Sequence, residues 1–472
     1  MVFSSTVFLF IFLPLVLVGY YLLDKKFRNI FLLLTSLFFY GWGEPKFVFI
    51  MVGSIFMNYL FALGIDKFRK KKYIANSLLT GMVLANITIF FIFKYLGFAV
   101  ENINYIFGKE LVLPQIALPI GISFFTFQAI SYVIDVYRGK GEVQKNPLNV
   151  GLYISFFPQL IAGPIVRYET VAKEIKQRKE TWTDFTNGLE RFIVGLGKKV
   201  LLSNALAIIA DRCFSNIASP DISVLMAWIG AISYTLQIFF DFSGYSDMAI
   251  GLGRMFGFHF VENFNYPYIS KSISDFWRRW HISLSTWFRD YVYIPLGGSR
   301  VKQGRLILNL VIVWTLTGVW HGASWNFIWW GWFYLIILIF EKLTGVPECF
   351  KTKAGKILYQ IFTLLSVNFA WVLFRAENID IAILYVKKML GMCGNNIADA
   401  RAWYILFDNK WIFLAAILFS TPIMLKIKDR IKSEWGKIVC ESVKSLSLLI
   451  ILGVCICSIV SSSYNPFIYF NF

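Results

Sequence analysis

Apolar runs of about 15–20 residues recur from one end of this chain to the other. As helices, such runs match the roughly 30 Å hydrocarbon core of a bilayer. The recurrence predicts an all-α polytopic integral membrane protein. A transmembrane barrel would need short segments of alternating polarity, and the sequence lacks them. Charged residues are 16% of the 472, against roughly 25% in soluble domains. The net charge of +18 therefore fits basic loops facing an anionic leaflet and does not point to nucleic acid. Membrane lipids are the expected surroundings.

The first apolar run, residues 7–23, has no basic residue before it and is followed by Lys25, Lys26 and Arg28. A cleavable signal has the opposite charge order, so a retained first span is expected, with the N-terminus outside. The basic clusters at 25–28 and 67–72 should be cytoplasmic. Residues 30–40 and 47–63 then form a hairpin, 74–100 cross outward, and 101–110 are an outer loop. Residues 111–136 return, interrupted by Pro114, Pro119 and Gly121. The run 150–166 carries Pro158, Gly163 and Pro164 between basic flanks, which predicts a broken or re-entrant segment. Residues 182–211, with Lys198 and Lys199, should lie partly at the interface. Residues 222–240 read as a span ending at Asp241. In all, roughly 11–13 membrane segments are expected. They belong to a single domain over 1–472, with core motifs at about 111–377 and C-terminal spans at about 411–472. The six cysteines (213, 349, 393, 440, 455, 457) show no metal spacing and read as small buried hydrophobes.

Chemistry concentrates in one region. Residues 276–300 form a dense aromatic and basic tract that contains His281, and 306–340 contain no Asp, Glu, Lys or Arg but hold His321. As one straight helix the second stretch would run about 50 Å, longer than the hydrocarbon core, so a break at Gly322-Ala-Ser is expected. His321 then lies about 24 Å along the helix from Arg305 and about 30 Å from Glu341. An imidazole that deep stays neutral and can serve as a general base. It is costly in a membrane unless used. With only three histidines in the chain, a metal centre is not expected. No nucleophile-elbow motif suggests covalent catalysis.

His281 reads either as part of an interfacial aromatic belt or as a residue that orients a substrate or His321. Arg278, Arg279, Arg289, Arg300, Lys302 and Arg305 would form a basic mouth for a phosphate-rich donor, with Asp290 pairing one arginine. Asp241 and Asp247 read as a helix end with solvated or ion-paired carboxylates, or as support for the arginine cluster. Around His259, in GFHFVENFNYPY, no constellation stands out.

Together these segments resemble the membrane-bound O-acyltransferases, and within them the bacterial alginate O-acetylation branch. The resemblance is carried by LPIGISFFTFQAISYVIDVYRG (118–139), FFPQLIAGPIVRYE (156–169) and QIFFDFSGYSDMAIGLGRMFGF (237–258). It continues in DFWRRWHISLSTWFRDYVYIPLGGSR (275–300), TGVWHGASWNFIWWG (317–331), FAWVLFRAE (369–377) and NPFIYFNF (465–472). It implies a helical fold around a central funnel, with His321 as the catalytic histidine of the WHG motif and His281 as the second functional histidine of RRWH. It also implies an O-acetyltransferase in the bacterial plasma membrane with no bound cofactor. The donor would be acetyl-CoA or an acyl carrier thioester, and the destination a cell-surface polysaccharide. A separate extracytoplasmic acetyltransferase of the SGNH type is the implied partner. In the reaction so implied, His281, Trp320 or Tyr291 would steady the oxyanion. Two other readings stand beside this one. One is D-alanyl transfer to teichoic acid from a phosphopantetheine carrier; the other is a transporter or flippase built on broken helices.

Overall fold

The computed structural model describes every residue except 114–115, 216, 218–221, 347, 432, 463 and 469–472. Pro114, one expected interruption, and the last four residues of the NPFIYFNF motif lie outside the described residues. Among the described residues the regular structure is entirely helical. Among the described residues, eight helices are long and apolar enough to cross a membrane: Val48–Lys67, Lys72–Lys94, Trp182–Ser215, Val224–Met255, Gln303–His321, Trp325–Thr344, Lys353–Arg375 and Glu434–Ser461. A ninth is counted if Ala400–Asp408 and Lys410–Phe419, bent by 59°, form one span. Other expected segments are real helices that fall short of a span. Phe8–Leu22 is short, Lys25–Gly43 opens on basic residues, and Ile122–Arg138 has 17 residues.

The chain divides into two compact units. The first comprises Met1–Phe192 and Tyr245–Val261. Here Val48–Lys67 and Lys72–Lys94 are joined by reciprocal carboxamide bonds between buried Asn58 and Asn86, at 3.1 and 2.9 Å. Such bonds are a polar glue between membrane helices. The expected outer loop at 101–110 is instead mostly the helix Leu96–Phe107. Ile122–Arg138 starts at Gly121, whose φ of +75° and distance from Leu160 O (a Cβ would sit 2.8 Å away) exclude a side chain. The segment 150–166 is broken as expected. Pro147–Ser155 gives way to the short turn Phe157–Leu160, whose first N–H is bound by Ser36 Oγ at 3.1 Å. His259 sits between Glu174 at 2.7 Å and Asp184 at 3.2 Å.

The second unit comprises Ile193–Gly244 and Glu262–Phe472. Two expectations change here. Helix Val224–Met255 does not end at Phe240, because Asp241 is not a solvated terminus. It is buried against Lys199 at 2.5 Å and accepts the Ile468 N–H at 2.9 Å, while Lys199 also donates to Pro466 O. Lys199 is correspondingly 2% exposed and not interfacial. A charge pair satisfied on both sides lets a helix continue through an apolar interior. Cys213 and Cys455 are buried as expected, but Cys349, Cys393 and Cys457 are exposed.

Candidate active site

Both histidines of interest lie in the second unit. His321 is the last residue of the Gln303–His321 helix. Gly322–Ser324 break the chain as expected, and Ser324 caps the next helix, Trp325–Thr344, by accepting the Asn326 N–H. The two helices fold back on each other without intervening side chains. A Cβ on Gly318 would sit 2.5 Å from Phe327 O, and one on Gly331 2.6 Å from Trp314 O. This approach places Trp330 against His321, with ring centroids 4.8 Å apart. Trp320 at 4.9 Å and Phe374 at 5.3 Å complete an aromatic wall, each ring edge-on. Phe374 is brought in by the Lys353–Arg375 helix, whose following residue Ala376 accepts from Asn326 Nδ2 at 2.6 Å. His321 is 5% exposed.

His281 occupies a sharp turn between two short helices, Ile273–Arg279 and Ile282–Phe288, outside the spans. The first helix is capped by Ser272 Oγ on the Asp275 N–H. Its leading N–H groups are also bound by a buried carboxylate. Glu341 accepts from Ile273 N at 2.7 Å and Ser274 N at 2.9 Å, and from the Tyr359 hydroxyl at 2.9 Å. A carboxylate at a helix N-terminus satisfies orphan donors and meets the positive end of the dipole. His281 itself has φ +45°, a left-handed conformation costly for a residue with a Cβ. Its Nδ1 lies 3.0 Å from Asn263 Oδ1, Phe242 packs edge-on at 4.6 Å, and Trp320 lies 6.1 Å away. Both imidazoles thus lie beside the same indole. Burial pulls the His281 pKa down to about 3, so the ring is neutral at physiological pH.

A cleft of about 170 Å³ opens one helical turn from each histidine, at Ser285 and at Thr317. Leu310, Val313, Trp314 and Thr317 line it from the His321 helix, and Trp277, Ser285, Phe288, Arg289 and Tyr293 from the tract. Thr317 is one turn, about 6 Å, before His321.

The predicted basic mouth is only partly assembled. Arg289 lines the cleft and pairs with Asp290 at 2.7 Å, as expected. Arg279 is committed within its own helix to Asp275 at 3.0 Å and also bonds Asn265 O. Arg278, Arg300, Lys302 and Arg305 are exposed. Trp320 is buried beside both histidines, whereas Tyr291 packs on Trp287 at 5.2 Å. Asp241 pairs with Lys199 and does not support the arginine cluster. The residues around 259 that suggested no constellation do contribute one, since Asn263 holds His281. Asn263, Glu341 and Phe374 act across 18 to 68 positions of sequence, and Trp330 reaches His321 from the next helix; no local spacing marks them.

The model of the membrane-bound O-acyltransferase family matches residues 142–380. The probable alginate O-acetylase of Azotobacter vinelandii is 38% identical over 504 residues, covering 100% of both chains. The peptidoglycan O-acetyltransferase of Helicobacter pylori is 35% identical over 517 residues, covering 100% of this chain and 98% of the relative. The teichoic acid D-alanyltransferase of Bacillus subtilis is 32% identical over 247 residues, which is 47% of this chain and 60% of the relative.

Proposed function

This chain belongs to the membrane-bound O-acyltransferase family and is a membrane acyltransferase, and from that premise we propose that it transfers an acetyl group from a cytoplasmic thioester toward a polysaccharide outside the plasma membrane. The reading is carried by His321, a buried imidazole at a helix end, walled by three rings and one turn from a cleft. Membership of an acyltransferase family displaces the transporter reading.

In the proposed step the acceptor hydroxyl oxygen attacks the thioester carbonyl as His321 takes its proton. The C–S bond then breaks, and the thiolate recovers that proton as free thiol. Ester and thiol leave with no net change in charge. Arg289 at the cleft supplies a guanidinium for a donor phosphate. The Trp320 indole, which lies beside both imidazoles, donates its N–H to the developing oxyanion in this reading.

Acetyl-CoA is favoured over a D-alanyl carrier because the full-length matches are O-acetyl enzymes, whereas the D-alanyl relative aligns with 47% of this chain. The relatives' polymers make a cell-wall or extracellular glycan the acceptor class, reached with or without a secreted acetyltransferase partner. The test uses the full chain in sealed vesicles supplied with labelled acetyl-CoA or with acyl-loaded carrier protein. Release of free CoA by the wild type and not by His321→Ala is expected. Turnover of the carrier alone would assign the chain to the D-alanyl reaction instead.

A further inference from the structure

The neighbours of His281 determine which of its nitrogens carries the proton. Asn263 Oδ1 accepts from the Ser283 N–H at 3.2 Å and lies 2.9 Å from Ser283 Oγ. A backbone N–H can only donate, so the carboxamide oxygen, and not its NH₂, must face this turn. The same oxygen is 3.0 Å from His281 Nδ1 and has no proton to give. Nδ1 is therefore the donor, and in a neutral ring Nε2 carries the lone pair. The backbone closes the clamp: Ile282 N–H donates to Asn263 O and Asn265 N–H to Arg279 O, each at 2.9 Å. Asn263, His281 and Ser283 are 1–2% exposed.

This clamp holds a left-handed residue, a conformation that side chains with a Cβ rarely adopt. Glycine would fit the turn more cheaply, so the strain is spent to keep an imidazole there.

We propose that Asn263 is a positioning residue that fixes His281 as a neutral, Nδ1-protonated imidazole, so that its Nε2 is a hydrogen-bond acceptor for a second hydroxyl of the glycan acceptor, next to the one that reacts. This assignment rests on the acyl-transfer reading above. It removes His281 from the oxyanion role, since a neutral Nε2 has no proton to offer an oxyanion. The two imidazoles then act on different hydroxyls of the acceptor, His281 holding one and His321 deprotonating the other. The surrounding rings, Phe242 and Trp320, carry no charge that would favour an imidazolium.

The experiment is ring-¹⁵N histidine labelling of the full chain in lipid. The chain has three histidines, and single His259→Gln and His321→Ala variants assign the signals. The wild type is expected to show His281 with protonated Nδ1 and bare Nε2. Asn263→Leu should move the proton to Nε2 or mix the two forms. It should also lower kcat for acetyl transfer about 100-fold with little change in donor KM. Asn263→Asp keeps an acceptor oxygen and should restore both tautomer and rate to within about tenfold. An Nε2-protonated His281 in the wild type overturns the assignment, as does Asn263→Leu with tautomer and rate unchanged. If Asn263→Leu does not accumulate, the wild-type spectrum and Asn263→Asp decide. An Nδ1-protonated His281 in a protein that releases no CoA would sink the donor reading and leave the tautomer standing.

Discussion

The two histidines of this site are held by opposite means. His281 is fixed by hydrogen bonds in a strained turn, with a carboxamide oxygen dictating its tautomer. His321 is fixed by packing, at the end of a helix pressed onto its neighbour through facing glycines and enclosed by rings. A hydrogen bond to a fixed acceptor specifies a proton's position, whereas close packing specifies an atom's position. The first arrangement suits a group that orients, and the second a group that exchanges protons.

The largest effect expected from breaking this contrast is at His321. His321→Ala should lower acyl transfer by about 10²–10⁴-fold while the protein still accumulates in membranes. Near-normal transfer by the purified variant would remove His321 from the chemistry. Next comes the hairpin. Gly318→Val places methyl groups where a Cβ already meets Phe327 O at 2.5 Å, so the helices must part at a cost of about 1–3 kcal/mol. The rate should fall with the His281 ¹⁵N signals unchanged; a shifted His281 signal would show that the two supports are not separate.

The Glu341 carboxylate offers a third, smaller probe, on the hydrogen-bonded side. In Glu341→Gln an NH₂ replaces one acceptor and faces a backbone N–H, costing about 1–3 kcal/mol. Thermal unfolding in detergent should shift down, with a partial loss of rate. An unchanged Tm would mean that the helix before His281 does not depend on this cap.

Acidity separates His281 from the surface. Its unfolded imidazole binds a proton near pH 6.5, and the folded one only near 3. The unfolded state thus binds more protons between those values, and stability falls as pH drops through that window. Folded protein at pH 5 should still show a neutral His281 ring; a protonated signal there would contradict its burial. His259 behaves in the opposite sense. Burial disfavours its charge, but Glu174 and Asp184 outweigh this and raise its pKa. What it contributes is present at low pH and lost as pH rises through the raised value. It is half-exposed, so His259→Gln should change stability by no more than about 0.5 kcal/mol. A larger shift would give this corner of the first unit more weight than its exposure allows.

Much of the fold is legible in the residues. The break at Gly322–Ser324 follows from an apolar stretch too long for one crossing, and Pro158, Gly163 and Pro164 announce the interrupted segment. The helix running through Asp241 is not legible, because the charge that neutralises it stands 42 residues away at Lys199. The arginine cluster misleads for a related reason. A sequence lists its cations without showing that Arg279 is already committed to Asp275.

The apolar runs determined a helical membrane protein, and the histidines singled out 281 and 321 as candidates for its chemistry, because length, hydrophobicity and residue type are local properties. Which groups surround those imidazoles was decided only by tertiary structure. Asn263, Glu341, Trp330 and Phe374 reach the site through the packing of distant segments, and it is their contacts, not their spacing, that set a proton and close a wall.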